Sequence, residues 1–340
     1  MITDLFQPPI PLNGYKNYQD MCDHASDPDK KKREEFWSDV ARQLLHWEDS
    51  NFTNVIGEIG DNTSIWYDGG KFNVCYNCVD RHAAEDPNRV ALIYEGNLED
   101  KSVKITYGEL LKKVTQTANL LKSLGIQKGS VVSIFLPVCL EAIYSMLACA
   151  RLGAIHSLVF GAFRGSALEY RINDCQPTVV ITANSYERAT KHIPMKKTLD
   201  EILPNCPSVK HVIVCQLTDD KVDMDPIRDK FYEDTISQDI HIRDDPCPCL
   251  PVDSKDPLFY LYTSGSTGNP KGIIHRSGGY SVAASLTHRF VFTLRPGDIF
   301  GCTSDLGWIT GHTYVCYGPL LNGVTTLVFG GLPLYPDARR

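Results

Sequence analysis

The chain has 340 residues, 43% hydrophobic and 22% charged, ordinary values for a globular protein able to bury a large core. Its formal net charge of −7 argues against a general nucleic-acid or anionic-membrane binder, although a local basic cluster could still hold a small anion. The opening "MITDLFQPPIPL" lacks the basic-then-apolar layout of a secretory leader, and no apolar run reaches the roughly 18 to 20 residues that span a bilayer.

A soluble cytosolic chain with reduced thiols is therefore expected, despite twelve cysteines. "CYNC" (Cys75, Cys78) and "CPC" (Cys247, Cys249) have ligand-like spacing. No histidine pair accompanies them and the two pairs stand far apart in the chain. Buried or incidental thiols are the expectation, and no metal ligand is assigned.

Residues 1–84 are rich in aromatic and charged side chains, with little strand signal. "DPDKKKREEFWSDVARQLLHW" predicts a helix capped by Asp27 and opened by Pro28, with Phe36, Val40, Leu44 and Trp47 near one face. The run Lys30 to Arg33 reads as a solvated helix face, and a nuclear-import patch is the sharper alternative.

From about residue 85, short β-rich runs alternate with helices. "TYGELLKKVTQTANLLKSLG" predicts a helix with a Thr106/Glu109 capping box and a Gly125 stop; Leu110, Val114, Leu121 and Leu124 form its apolar side. "VVSIFL" follows as a buried strand, then a helix from Pro137 to Gly153 and the strand "AIHSLVF". A helix near 166–174, the strand "TVVIT", a helix near 189–203 and the strand "KHVIVC" complete the series. This alternation predicts an α/β fold with a parallel sheet flanked by helices. Residues 216–256, acidic and proline-containing, read as a long connection.

"LFYLYTSGSTGNPKGIIH" then runs an apolar strand into a loop of glycines, hydroxyls and a lysine. Glycines let a backbone approach a ligand closely and aim its N–H groups at anionic oxygens, and hydroxyls with a lysine add donors. The loop asks for phosphate. The spacing excludes a Walker A motif, because Lys271 lies between Pro270 and Gly272, and it excludes G-x-G-x-x-G.

"YTSGSTGNPKG" resembles the phosphate-loop signature [ST]-S-G-[ST]-T-G-x-P-K-G of adenylate-forming enzymes at every fixed position. "GWITGHTY" (Gly307 to Tyr314) and "YDGGKFNVCYNCVDRH" resemble segments of the acetyl-CoA synthetase branch, so the resemblance runs from about residue 15 to the end. It implies the first portion of the large adenylate-forming domain over 85–340, preceded by a mostly helical family-type segment over 1–84.

The implied activity is an AMP-forming acid–thiol ligase using acetate, ATP with Mg²⁺, and coenzyme A. Thr263, Ser264, Gly265, Ser266, Thr267, Gly268, Pro270, Lys271 and Gly272 would hold ATP phosphates, with Thr263 and Lys271 the catalytic pair. Trp308, Ile309 and Thr310 would line the acyl site. Gly161, Arg188, Ala189, Thr190, Lys191 and Thr310 would meet coenzyme A, Arg188 and Lys191 sharing a face if their segment is helical. Lys191 and Ala162 stand where relatives usually carry arginine and a second glycine. His312 and Asp305 are read as structural.

The resemblance also implies blocks beyond residue 340, so the chain is expected to be the N-terminal part of a longer cytoplasmic enzyme, inactive alone in the overall reaction. A propionyl-CoA synthetase or a non-catalytic nucleotide- or CoA-binding fragment is the alternative. No nucleic-acid or membrane partner is expected, and a homo-oligomer is left open.

Overall fold

The computed structural model describes residues 12–59, 63–97, 102–263, 269–295 and 297–337. Its N-terminal segment carries helices α1 (Tyr18–Ala25) and α2 (Lys30–Leu44). Asp29, rather than Asp27, caps α2 by accepting from the Lys31 amide; Asp27 accepts from Asp29 and so shapes the turn before the cap. Proline therefore lies outside the helix. Lys30 pairs with Glu34 at 3.5 Å and Arg33 donates to the Asp27 carbonyl, so this basic run serves the surface of its own helix.

An antiparallel hairpin follows, β1 (Asn54–Ile59) with β2 (Thr63–Asp68), then the short β3 (Lys71–Phe72), a π turn over Tyr76–Asp80 and α3 (Arg81–Glu85). The sequence showed little strand here; the hairpin is an addition to the helical reading. Arg81 joins the segment to the rest, donating to the carbonyls of Asn77, Leu44 and Leu321 at 2.9, 3.2 and 2.5 Å.

The body is built on two larger sheets. β4 (Val90–Glu95) and β5 (Val103–Thr106) precede α4 (Tyr107–Ser123), whose capping box is complete: Thr106 accepts from the Glu109 amide and Glu109 from the Thr106 amide. Then come β6 (Val131–Phe135), α5 (Leu140–Leu152), β7 (Ile155–Leu158), α6 (Ser166–Cys175) and β8 (Val179–Ala183). α5 begins three residues after Pro137 and ends at Gly153, whose φ of +66° suits a residue without a Cβ.

The expected helix over 189–203 is instead a hairpin, β9 (Tyr186–Arg188) and β10 (Lys191–Ile193), followed by a shorter α7 (Met195–Asp200). Ala189 turns the chain with φ +53°, which breaks any helix across it.

Residues 216–256 are more than a connection. After β11 (His211–Cys215), β12 (Asp229–Phe231) adds a parallel strand at the sheet edge, and α8 (Tyr232–Gln238) and α9 (Ile240–Asp244) pack on α4. Polar side chains make that contact: the Tyr232 hydroxyl meets Thr117 at 2.6 Å and Asn119 donates to the Asp245 carbonyl at 2.7 Å. An acidic surface conceals this packing in the sequence. The chain goes on through β13 (Val252–Asp253), β14 (Pro257–Thr263), β15 (Lys271–Arg276), α10 (Ser277–Leu286), β16 (Ile299–Cys302), α11 (Ile309–Gly311), α12 (Gly318–Leu321) and β17 (Thr325–Phe329).

The larger sheet has the order β12-β11-β8-β6-β7-β14-β15, parallel except for β15. The smaller has the order β16-β17-β4-β5, parallel except for β5. One apolar core spans both sheets and the N-terminal helices. None of the described helices is long and apolar enough to cross a membrane. Replacing Thr106 by Ala should lower unfolding free energy by about 1 kcal/mol with an unchanged m-value in urea, while Thr106→Ser should keep most of it.

Candidate active site

β14 is parallel to β7, with Phe259 beside His156 and Tyr260 beside Ser157. Thr263 and Phe160, each three residues further on, therefore leave the same edge of the sheet. β15 returns antiparallel so that Lys271 stands directly across from Thr263 and Gly272 across from Tyr262. The two residues expected to act on phosphate are thus brought together, both exposed, at the mouth of this hairpin. Pro270 lies on the return path; Ser264, Gly265, Ser266, Thr267 and Gly268 lie outside the described residues. Below the mouth, the Tyr262 hydroxyl donates to Asp174 at 2.6 Å, and burial with that bond raises its pKa. Arg171 stacks 4.0 Å from the Phe163 ring and 5.6 Å from the Tyr262 ring.

Beside the hairpin, the carboxyl ends of strands from both sheets converge on a cleft of about 220 Å³. Pro137 follows β6, Phe160 and Gly161 follow β7, Thr303 follows β16, Gly330 follows β17 and Asn97 follows β4. Open parallel sheets bind ligands outside these ends, where helix starts and free backbone groups gather. Gly161 is buried, and a Cβ there would meet Met195 at 3.5 Å and the Leu136 carbonyl at 3.6 Å, ordinary contacts. The fold itself has room for an alanine at this position.

The β9–β10 hairpin forms one wall, and Arg188 lines the cleft. Arg188 and Lys191 are opposed residues of the two strands, so their side chains leave the same face of the ribbon. They do share a face, through cross-strand pairing rather than the helical spacing expected. Ala189 and Thr190 form the turn between them. The Asn97 amide clamps that turn, donating to the Ala189 carbonyl at 2.9 Å and accepting from its N–H at 3.2 Å. Sequence reasoning missed Asn97, which sits in no motif and meets its partner 92 residues away.

Trp308 precedes α11 with its ring 5.9 Å from Phe160. It is 49% exposed and Ile309 40%, and Thr310 is exposed too, so these three do not by themselves enclose an acyl pocket. Gly311 is a steric requirement, since a Cβ would fall 2.1 Å from the Asp305 carbonyl. Asp305 lines the cleft, accepts from the Gly307 amide at 2.7 Å, and has its pKa raised by burial.

His312 is fully buried, stacked 5.4 Å from His156 and tilted 4.5 Å from Phe259, and burial lowers its pKa to about 4. His156 is driven well below its ordinary value by the same cause and meets the Tyr317 hydroxyl at 2.7 Å. These rings form a neutral layer under the hairpin. Neither imidazole carries the charge that would stabilise an anion.

A family model described as AMP-binding enzyme matches residues 79–340, most of the chain. The chain belongs to that family. A second model, the acetyl-coenzyme A synthetase N-terminus, matches residues 18–78. Among curated relatives, an acetyl-coenzyme A synthetase of Xanthobacter autotrophicus is 49% identical over 90% of the chain and 46% of its own length. One from Chromobacterium violaceum is 43% identical over 99% of the chain and 50% of its own length. The acetoacetyl-CoA synthetase structure from Streptomyces lividans superposes with a TM-score of 0.81 at 26% identity, over 90% of this chain and 46% of that one. The chain spans about half the length of the relatives it matches.

The neutral histidines set a pH dependence. His312 and His288 gain protons only near pH 4 when folded, against about 6.5 in an unfolded chain, so the unfolded state binds more protons between those values. Their stabilisation is complete above pH 6.5 and is lost as pH falls toward 4. The unfolding free energy from urea titrations should stay level from about pH 7.5 to about pH 6.5 and then fall toward about pH 4.5, with a slope near 1.4 kcal/mol per pH unit for each such histidine.

Proposed function

We propose that this chain carries the ATP- and CoA-binding side of an AMP-forming acetate–CoA ligase, which converts ATP, acetate and coenzyme A to acetyl-CoA, AMP and diphosphate. The single observation that carries the reading is the Thr263–Lys271 pair closing a glycine- and hydroxyl-rich loop on the sheet edge that also bears Phe160 and Gly161. In the first step an acetate oxygen attacks the α-phosphorus and diphosphate leaves. Acetate is already ionised at neutral pH, so the step needs charge neutralisation and alignment rather than a base. Lys271, Thr263 and the residues between them supply donors for the leaving β- and γ-phosphates. Mg²⁺ accompanies ATP as a further neutralising charge.

In the second step the thiol of coenzyme A attacks the carbonyl of acetyl-adenylate and AMP leaves. Gly161 has no steric partner that demands glycine, which supports close passage of the pantetheine arm. Arg188 and Lys191 provide paired positive charge at an exposed position suited to the 3′-phosphate, presented by the Ala189–Thr190 turn. Trp308, Ile309 and Thr310 supply part of the acyl boundary. Because one methylene changes binding in an apolar pocket by only about 1 to 3 kcal/mol, some propionate turnover is expected. The site is assigned to the cytoplasm.

Acetate-dependent ATP–diphosphate exchange on the purified protein, with propionate in parallel, tests the reading. Lys271→Ala should reduce exchange about 10²-fold while leaving the fold intact, since the side chain is exposed. Silence with both acids fits a chain that spans about half the length of its relatives, and exchange by the longer gene product then separates a ligase from a non-catalytic binding module. Gly161→Ala, whose added Cβ meets only ordinary contacts, should leave the unfolding free energy within about 0.5 kcal/mol of wild type but raise KM for coenzyme A, read in thioester formation by a preparation that completes the reaction.

A further inference from the structure

Folding brings one residue of each thiol pair together. Cys75, at the start of the π turn, and Asp80, at its end, are five residues apart, and the wider π turn aligns residues at that spacing. Cys249, on the connection into β13, meets them from the other side. The Sγ atoms of Cys75 and Cys249 and an Asp80 carboxylate oxygen lie within 4.8 Å of one another. Cys249 Sγ is 3.4 Å and Cys75 Sγ 4.0 Å from Asp80 Oδ2. Tetrahedral zinc, with Zn–S near 2.3 Å and Zn–O near 2.0 Å, requires sulfur–oxygen edges of about 3.5 Å, between those two distances.

We propose that Cys75, Asp80 and Cys249 bind one Zn²⁺ ion, with water in the fourth position, and that the ion staples the N-terminal segment to the body. The proposal does not depend on the ligase reading. Arg151 stands behind the ligands: it donates to both Asp80 oxygens at 2.9 and 2.8 Å, to Cys75 Sγ at 3.5 Å and to the Cys247 carbonyl. Such outer contacts orient ligands and balance charge. Two thiolates and a carboxylate against Zn²⁺ and the guanidinium sum to zero. Without metal, two thiols beside the Asp80–Arg151 ion pair also sum to zero, so binding replaces two thiol protons with the ion. Cys75 is buried, and the partly exposed Cys249 gives the ion its way in.

The test is cobalt titration of the purified, reduced full chain, followed by zinc. One equivalent of Co²⁺ should produce a thiolate-to-cobalt absorption band that Zn²⁺ then removes, releasing about two protons per metal in weak buffer. Cys249→Ser should abolish the band and Cys22→Ser should keep it; circular dichroism of each variant checks that it folds. In wild type, Zn²⁺ should also slow alkylation of Cys249, a readout that needs no variant. The proposal is overturned by absence of a band in folded reduced wild type, or by an undiminished band in Cys249→Ser. A metal-free Cys75–Cys249 disulfide in protein isolated without reductant or chelator overturns it equally.

Discussion

Parallel strands buried on both faces can be joined only by crossover segments, and that constraint places the whole site. Each crossover returns the chain to the same starting edge, so every parallel strand in a sheet ends on the same side. Two such sheets meet here, and the carboxyl ends of β4, β6, β7, β16 and β17 come to one cleft. Thr263 leaves β14 on the same edge. Residues more than 200 positions apart in sequence, such as Asn97 and Gly330, become neighbours because their strands end together.

The constraint also explains what lies beneath. A sheet layer covered on both sides must be dry, and polar rings placed in it must be neutral. His156 stacks on both Phe259 and His312 in this layer, and burial keeps the charged forms of both imidazoles away. These rings put a neutral layer under the exposed Thr263–Lys271 mouth and add no charge to it. The Arg188–Lys191 pair is presented in a comparable way, by a short hairpin whose turn the Asn97 amide holds.

The N-terminal segment is held by polar contacts as well as by the shared core. Arg81 caps the last carbonyls of α2 and α12, and Asn73 donates to the Ala150 and Leu250 carbonyls at 2.9 and 2.7 Å. Buried polar groups of this kind specify a unique arrangement because leaving them unpaired costs about 1 to 3 kcal/mol each. The Cys75–Asp80–Cys249 cluster sits at the same junction, beside the Asp80–Arg151 ion pair.

Local signals in the sequence determined much of this protein. The capping box of α4, the Gly153 stop of α5 and the strand-to-loop transition at Thr263 are legible because backbone dihedrals and hydrogen-bonding side chains act within a few residues. The resemblance of residues 262–272 to a family signature needed only their own order. The tertiary structure alone decided what depends on partners far along the chain. The Ala189 turn reverses where a helix was expected, and Asn97 holds it from 92 residues away. β12, α8 and α9 find their places through buried Tyr232 and Ile242, whose partners lie on α4 and β11. Cys75 and Cys249, read from spacing as unrelated, meet because a π turn and a crossover end at the same point. Spacing along a chain reports neighbours within a turn or two, whereas a site is made where separate strands finish.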